Sequence, residues 1–483
     1  MATASAARHD LPSGIPALSV SPKRKKSVRL TLWPLVAATF FMVSGGTYGI
    51  EDIVHGAGYG RAILFLLLTP ILWSLPTAFM IGELSSALPF EGGYYAWVRR
   101  AMGNFWGFQE AWLSLVASIF DMAIYPTLFV AYLTRLFPWF ADPQHGLTLT
   151  VYRGMSFNVT PAFLVGLAVV IACAVLNIAG VKVVSTTSLW LFFALSAPFA
   201  LVVILSPLRY GALFHAVTAP TRSKVDLIGG LLICMWNYMG WDNASTIATE
   251  VERPQRTYPR AMLAAVIIVA LSYIVPVAAV WMTRLPAGAW ETGSWADIAG
   301  LLGGPGLRIA LVVGGMFSAF GMFNALVMSY SRLPLAMAQD GMLPTFFGKL
   351  NRRRAPWVTI MALAIGWACC LGLGFARLVT IDILIYGLSL SLEFVALVAL
   401  RIREPELARP FRVPGGMFGA AAVGIAPVLL LGFALVRSQS EQVWGISSFA
   451  LGAAVVAAGV IAYAVNYALK PAGWTTQEPE PAA

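Results

Sequence analysis

The chain has 483 residues, 59% hydrophobic and 11% charged, with 32 Lys/Arg against 22 Asp/Glu and a net charge of +10. Its mean hydropathy is +0.76, whereas a soluble domain carries about 25% charge and about half apolar residues. This excludes a soluble globular fold and points to one integral membrane domain, with the basic excess set by membrane topology rather than by nucleic acid.

Residues 1–30 contain Lys23, Arg24, Lys25 and Lys26 with no apolar core before them, so a basic cytoplasmic tail is expected and a cleaved signal peptide is not. At roughly 20 apolar residues per crossing, the rest reads as an all-α integral membrane protein of about 12 transmembrane helices. Spans 1 to 5 fall at about 31–54, 61–84, 104–135, 160–180 and 188–206. Span 6 covers 226–252. Spans 7 to 12 fall at about 260–283, 306–335, 356–376, 379–400, 418–436 and 446–468. Residues 469–483 form a second tail. Of the 32 Lys/Arg, 22 fall on the side that holds both tails, which places both termini in the cytoplasm of a multi-pass protein in the plasma (inner) membrane. Cys173, Cys234, Cys369 and Cys370 all lie in apolar runs at no metal spacing and read as packing residues.

Two spans are interrupted. Span 1 carries VSGGTYG at 43–49, with Ser44, Gly45, Gly46, Thr47 and Gly49 at mid-depth. Span 6 crowds Trp236, Asn237, Tyr238, Gly240, Trp241, Asp242 and Asn243 into its centre, where Gly, Asp and Asn disfavour continued helix. Irregular backbone at that depth persists only where protein or a cavity surrounds it. The breaks are five spans apart. This predicts two inverted repeats, 31–206 and 226–401, followed by extra helices at 418–468, with a substrate site at the paired breaks. Outgoing half-helices are expected near Gly46 and Thr47, and near Asn243. Their free N–H groups would attract a carboxylate, and the carbonyls of the incoming halves an ammonium. Asp242 reads equally as helix cap and as ligand.

Four more carboxylates lie in or near the membrane, where each is a functional candidate. Asp121 sits midway along span 3 and is assigned to a substrate ammonium. Glu393, in the inner half of span 10, is assigned to proton coupling together with Glu51 in span 1. Glu51 and Glu83 are also placed where they can reach interfacial water. Tyr48, Trp236, Tyr238 and Trp241 supply faces for an alkyl or ammonium chain, and Asn324 of span 8 adds a polar contact. No metal site, cofactor or nucleic-acid partner is expected; the partners are a small amine or amino acid, protons and the bilayer.

Three stretches carry a family resemblance: VSGGTYGIED (43–52), WDNASTIATEVERPQRTYPRA (241–261) and SRLPLAMAQDGMLP (331–344). With them the chain resembles the amino acid–polyamine–organocation superfamily over nearly its full length. The span 1 stretch and IFDMAIYPTLF (119–129) look most like polyamine uptake transporters. The resemblance implies a LeuT-type fold with alternating access, a substrate-stacking role for Trp236 and an acid role for Asp242. The chain differs from the polyamine pattern at Met42 and Leu326, each of which stands where those transporters have an acid, and this favours an amino acid, cationic ones included. Span 5 lacks the lysine of some proton-coupled relatives. Sodium coupling would call on Ser329 and Ser331. The expectation is a secondary transporter of amino acids or polyamines, proton-coupled or exchanging, with a polyamine-specific proton symporter as the alternative. A channel would need a polar stripe along several helices, and an enzyme a nucleophile or metal set; neither is found in the sequence.

Overall fold

The computed structural model describes residues 30–89, 92–152, 155–180, 186–209, 226–438, 442–443 and 446–469. The expected tails lie outside the described residues, apart from Leu30 and Leu469. The helices are α1 (Leu32–Val43), α2 (Glu51–Ala57), α3 (Tyr59–Ala87), α4 (Tyr94–Met102), α5 (Asn104–Leu136), α6 (Pro161–Ile178), α7 (Thr186–Leu208) and α8 (Leu227–Asn237). A 3₁₀ run, Trp241–Glu250, follows α8. Then come α9 (Pro254–Trp281), α10 (Trp295–Gln339), α11 (Trp357–Cys369), α12 (Phe375–Arg403), α13 (Gly416–Ala422), α14 (Ile425–Ser438) and α15 (Ser448–Ala468).

Among the described residues, eight helices are long and apolar enough to cross a membrane, and Leu32–Val43, Phe192–Leu208 and Trp357–Cys369 are shorter apolar helices. Local chemistry explains their irregularities. Pro70 lacks an N–H, and the ladder of α3 slips into a π turn over Pro70–Ser74. Gly304 has φ 74° and Pro305 follows it, so α10 kinks there and restarts with proline at its first position. Two departures from an all-α chain are small hairpins, Leu147–Tyr152 with Met155–Val159 and Gln442–Val443 with Ile446–Ser447, both in connecting segments.

Both expected interruptions are present. Ser44–Ile50 separates α1 from α2, and Gly45, Gly46 and Gly49 take φ of 60°, 111° and 86°, values open to glycine at little cost. Tyr238–Gly240 separates α8 from the 3₁₀ run. The two broken segments lie side by side in opposite directions: α2 packs on α8, and α1 packs on the 3₁₀ run. Helix α5 packs along both α10 and α12, and α8 also touches α12. These contacts gather α5, α10, α12 and both breaks around one centre.

Charged clasps close both ends. On the side of the α3–α4 connection, Arg401 meets Glu83 at 2.8 and 2.5 Å, Arg409 Nε lies 3.4 Å from Glu83, and Val413 N donates to the same carboxylate at 2.7 Å. Arg99 pairs with Asp340, which also accepts from Tyr95 Oη at 2.9 Å. Arg100 grips Glu404 through two bonds of 2.9 and 2.8 Å, and this holds the Glu404 carboxyl below the usual glutamate range. On the other side Arg135 bridges Asp297 and Glu291, each at 2.8 Å.

Candidate functional site

The first break is tied down by its own polar atoms. Ser44 Oγ accepts from Gly46 N at 3.1 Å, Ser318 Oγ of α10 donates to the Gly45 carbonyl, and Thr47 Oγ1 donates to Ser272 O of α9 at 2.7 Å. A Cβ added at Gly45 would run into Met322 and Ser318, so the close approach of α10 also requires glycine there. The outgoing half starts at Glu51, later than the expected Gly46–Thr47. Its carboxylate accepts from Gly49 N at 2.7 Å, from Gly293 N at 3.1 Å and from Tyr132 Oη. An acid at the first turn of α2 complements the helix N-terminus. Glu51 is fully enclosed, which corrects its placement at interfacial water.

The second half of the other break starts at Trp241, close to the expected Asn243. Asn237 Nδ2 donates to Gly49 O at 3.0 Å and ties the two breaks together. Asp242 is the second residue of that run, inside it rather than before it, and Tyr386 Oη of α12 donates to its carboxylate at 2.6 Å. Ser329 Oγ of α10 donates to Asn243 Oδ1 at 2.9 Å, whereas Ser331 Oγ bonds back to Met328 O of its own helix. Tyr238 and Trp241 do not reach the centre. Tyr238 donates to Leu66 O at 2.8 Å and sets its ring on Tyr273, and Trp241 Nε1 donates to Tyr238 O at 2.7 Å. Both act as packing within the α3–α9 side of the bundle.

Asp121 is the centre of the site. Its carboxylate accepts from Trp236 Nε1 at 3.1 Å, Tyr330 Oη at 3.1 Å and Tyr125 Oη at 3.2 Å, joining α5, α8 and α10. The Trp236 ring meets Phe375 of α12 edge to face, with ring centres 5.5 Å apart. Beside it, Ser44, Tyr48, Leu128, Trp236, Gly315, Ser318, Ala319 and Met322 line a cavity of about 10 Å³. That is room for about one water. Asn324 faces elsewhere: its side chain and carbonyl accept from Asn177 Nδ2 of α6, the side chain at 2.9 Å.

Two buried acids escape the sequence reading, Asp382 on α12 and Glu110 on α5. Both oxygens of Asp382 and of Glu393, and Oε2 of Glu110, accept no hydrogen bond from any described residue. Glu110 Oε1 accepts from Ser114 and Ser389 Oγ, each at 2.9 Å. The signal was available, because a lone acid inside an apolar run is the same feature that marks Asp121. Glu83 belongs to the clasp with Arg401 and Arg409; it is 1% exposed, not at interfacial water.

Residues 36–461 match the amino acid permease family model. The chain belongs to that family. The permease is 34% identical over 454 residues to a polyamine transporter of Oryza sativa subsp. japonica, covering 93% of this chain and 79% of the relative. It is also 34% identical over 421 residues to a polyamine transporter of Arabidopsis thaliana, covering 87% of this chain and 83% of the relative. A more distant relative is the serine/threonine exchanger SteT of Bacillus subtilis (strain 168), 25% identical over 405 residues, which cover 80% of this chain and 85% of the relative. The permease is therefore a multi-pass membrane transporter and not an enzyme.

Proposed function

We propose that this permease is a proton-linked secondary transporter of cationic amines, polyamines foremost, working by alternating access across the plasma membrane. One observation carries the reading. Asp121, Asp242, Asp382, Glu110 and Glu393 are all buried, and among the described residues none is paired with a Lys or Arg. An uncompensated buried carboxylate costs several kcal/mol, so these groups must be neutralised by protons or by a cation that visits. A transporter that binds ammonium groups and protons supplies both. The acids absent at Met42 and Leu326 argue for an amino acid from sequence; Asp382 and Glu110 restore the acid count at other positions. The polyamine relatives support the same substrate class.

In this reading Asp121 and Asp242 receive ammonium, Trp236 covers the alkyl chain, and the backbone of Ser44, Gly45, Gly46 and Thr47 opens with the gate. Glu393 and Glu110, two to three turns nearer the cytoplasm, carry the proton. Glu51 holds the start of α2 and belongs to the gate. Each broken pair counts as one crossing, as do α13 and α14 together, which gives 12 crossings with both termini cytoplasmic. Repeats 31–206 and 226–401 and the extra helices 418–468 then form a LeuT-type arrangement, supported by the opposed packing of α1–α2 against α8 and the 3₁₀ run. Competition for uptake by a panel of polyamines and amino acids in proteoliposomes tests the reading. Inhibition by putrescine and spermidine but not by neutral amino acids is expected; inhibition by serine or threonine alone would replace it with an amino acid exchanger.

A further inference from the structure

The contact between α5 and α12 has a register that sets two aspartates opposite each other. Ser114 Oγ and Ser389 Oγ meet at 2.7 Å across that interface. Seven residues outward from Ser114 on α5 is Asp121, and seven residues outward from Ser389 on α12 is Asp382. Two turns return a side chain to nearly the same face of a helix. The two helices run in opposite directions, since Arg100 and Ala101, just before α5 begins, meet Glu404 and Arg403 at the far end of α12. Asp121 and Asp382 therefore face the same gap at the same depth.

The neighbours of Asp382 confirm that face. Phe375, seven residues before it, touches Trp236; Tyr386, four residues after it, holds Asp242. The stripe Phe375, Asp382, Tyr386 and Ser389 thus looks toward α5 and the second break. The two acids are furnished differently. Asp121 has three donors, whereas Asp382 is 1% exposed and its two oxygens have none among the described residues. Among the described residues no base is within electrostatic reach of Asp382; the groups that are include Asp121, Asp242 and the hydroxyls of Tyr125 and Tyr330. A buried carboxylate with both oxygens unengaged, opposite another acid, lacks a donor that carries positive charge.

We propose that Asp382 is a second ammonium site, so that the permease grips a diamine at both ends, one on Asp121 and one on Asp382. This rests on the cationic-amine reading above and adds to it a selection for molecules with two charges over molecules with one. An alkyl chain joining the two ends lies against Trp236 and Phe375.

Binding of putrescine and of n-butylamine to the purified full-length chain tests it; the two ligands share a four-carbon chain and differ by one ammonium. The wild-type chain is expected to bind putrescine at least about tenfold more tightly, the scale of one charge-assisted contact. Asp382→Asn should bring putrescine down to the level of n-butylamine and leave n-butylamine within about twofold, which also shows that the variant is folded. Asp382→Glu, which keeps the charge, should retain most of the preference. An unchanged putrescine affinity in Asp382→Asn, or a parallel loss for both ligands, overturns the proposal, as does a glutamate variant that loses the preference as fully as the asparagine variant. A wild-type chain that binds neither ligand overturns the cationic-amine reading itself.

Discussion

Asp121→Asn separates charge from shape at the centre of the site. Trp236 Nε1 can only donate, but Tyr125 and Tyr330 carry hydroxyls that donate or accept. An asparagine there can accept from Trp236 through its amide oxygen and donate to a tyrosine oxygen through its NH₂. All three neighbours, now at 3.1–3.2 Å, then keep partners. The fold should lose little, and the substrate should lose a charged acceptor in exchange for a neutral one. Charge-assisted hydrogen bonds exceed neutral ones by about 1–2 kcal/mol. The KM for a cationic amine should therefore rise about 5- to 30-fold. Asp121→Leu is the contrast: three buried donors lose their acceptor at about 1–3 kcal/mol each. That sum of about 3–9 kcal/mol rivals the whole stability of a folded domain, so this variant should fail to accumulate. Initial-rate uptake into proteoliposomes and thermal unfolding in detergent measure the two effects. An unchanged KM in Asp121→Asn, or destabilisation as severe as that of Asp121→Leu, would refute the reasoning.

Gly46→Leu forces a branched side chain into φ 111°, a region L-residues rarely adopt. Uptake should be abolished while expression and insertion stay near normal, and normal uptake would remove the first break from the mechanism. Glu393→Gln should flatten the pH dependence of net uptake while leaving exchange of substrate for substrate; a retained pH profile assigns the proton elsewhere. Arg401→Met leaves Glu83 buried beside Arg409 alone, and breaking such a pair costs about 3–5 kcal/mol. The same change combined with Glu83→Met should recover most of the lost thermal stability, and a double variant as unstable as the single one would mean that the clasp acts through packing.

The breaks are legible in the sequence because Gly45, Gly46, Gly240, Asp242 and Asn243 violate helix preference inside apolar runs. The position of Asp121 beside the second break follows from its depth in span 3. Direction is what the sequence does not carry. Helices buried on many sides show no clear polar face, so nothing local says that Asn324 turns to Asn177 of α6 and away from the centre. The same holds for Tyr238, whose ring is drawn to Tyr273 by packing that forms only in the bundle. Asp382 is a different case: it sits in FARLVTIDILIYG with the same signal as Asp121, and the reading that weighs Glu393 on that span passes over it. What raises Asp382 above an isolated acid is its register with Asp121 across α5 and α12, a tertiary fact.

The most direct measurement is uptake of labelled putrescine into proteoliposomes holding the purified chain, with and without an imposed pH gradient and with and without unlabelled putrescine inside. Saturable uptake that is driven by the gradient and accelerated by internal substrate is the predicted result, because a carrier with one site returns faster when loaded. Uptake that rises linearly with concentration and ignores both the gradient and internal putrescine would contradict the account.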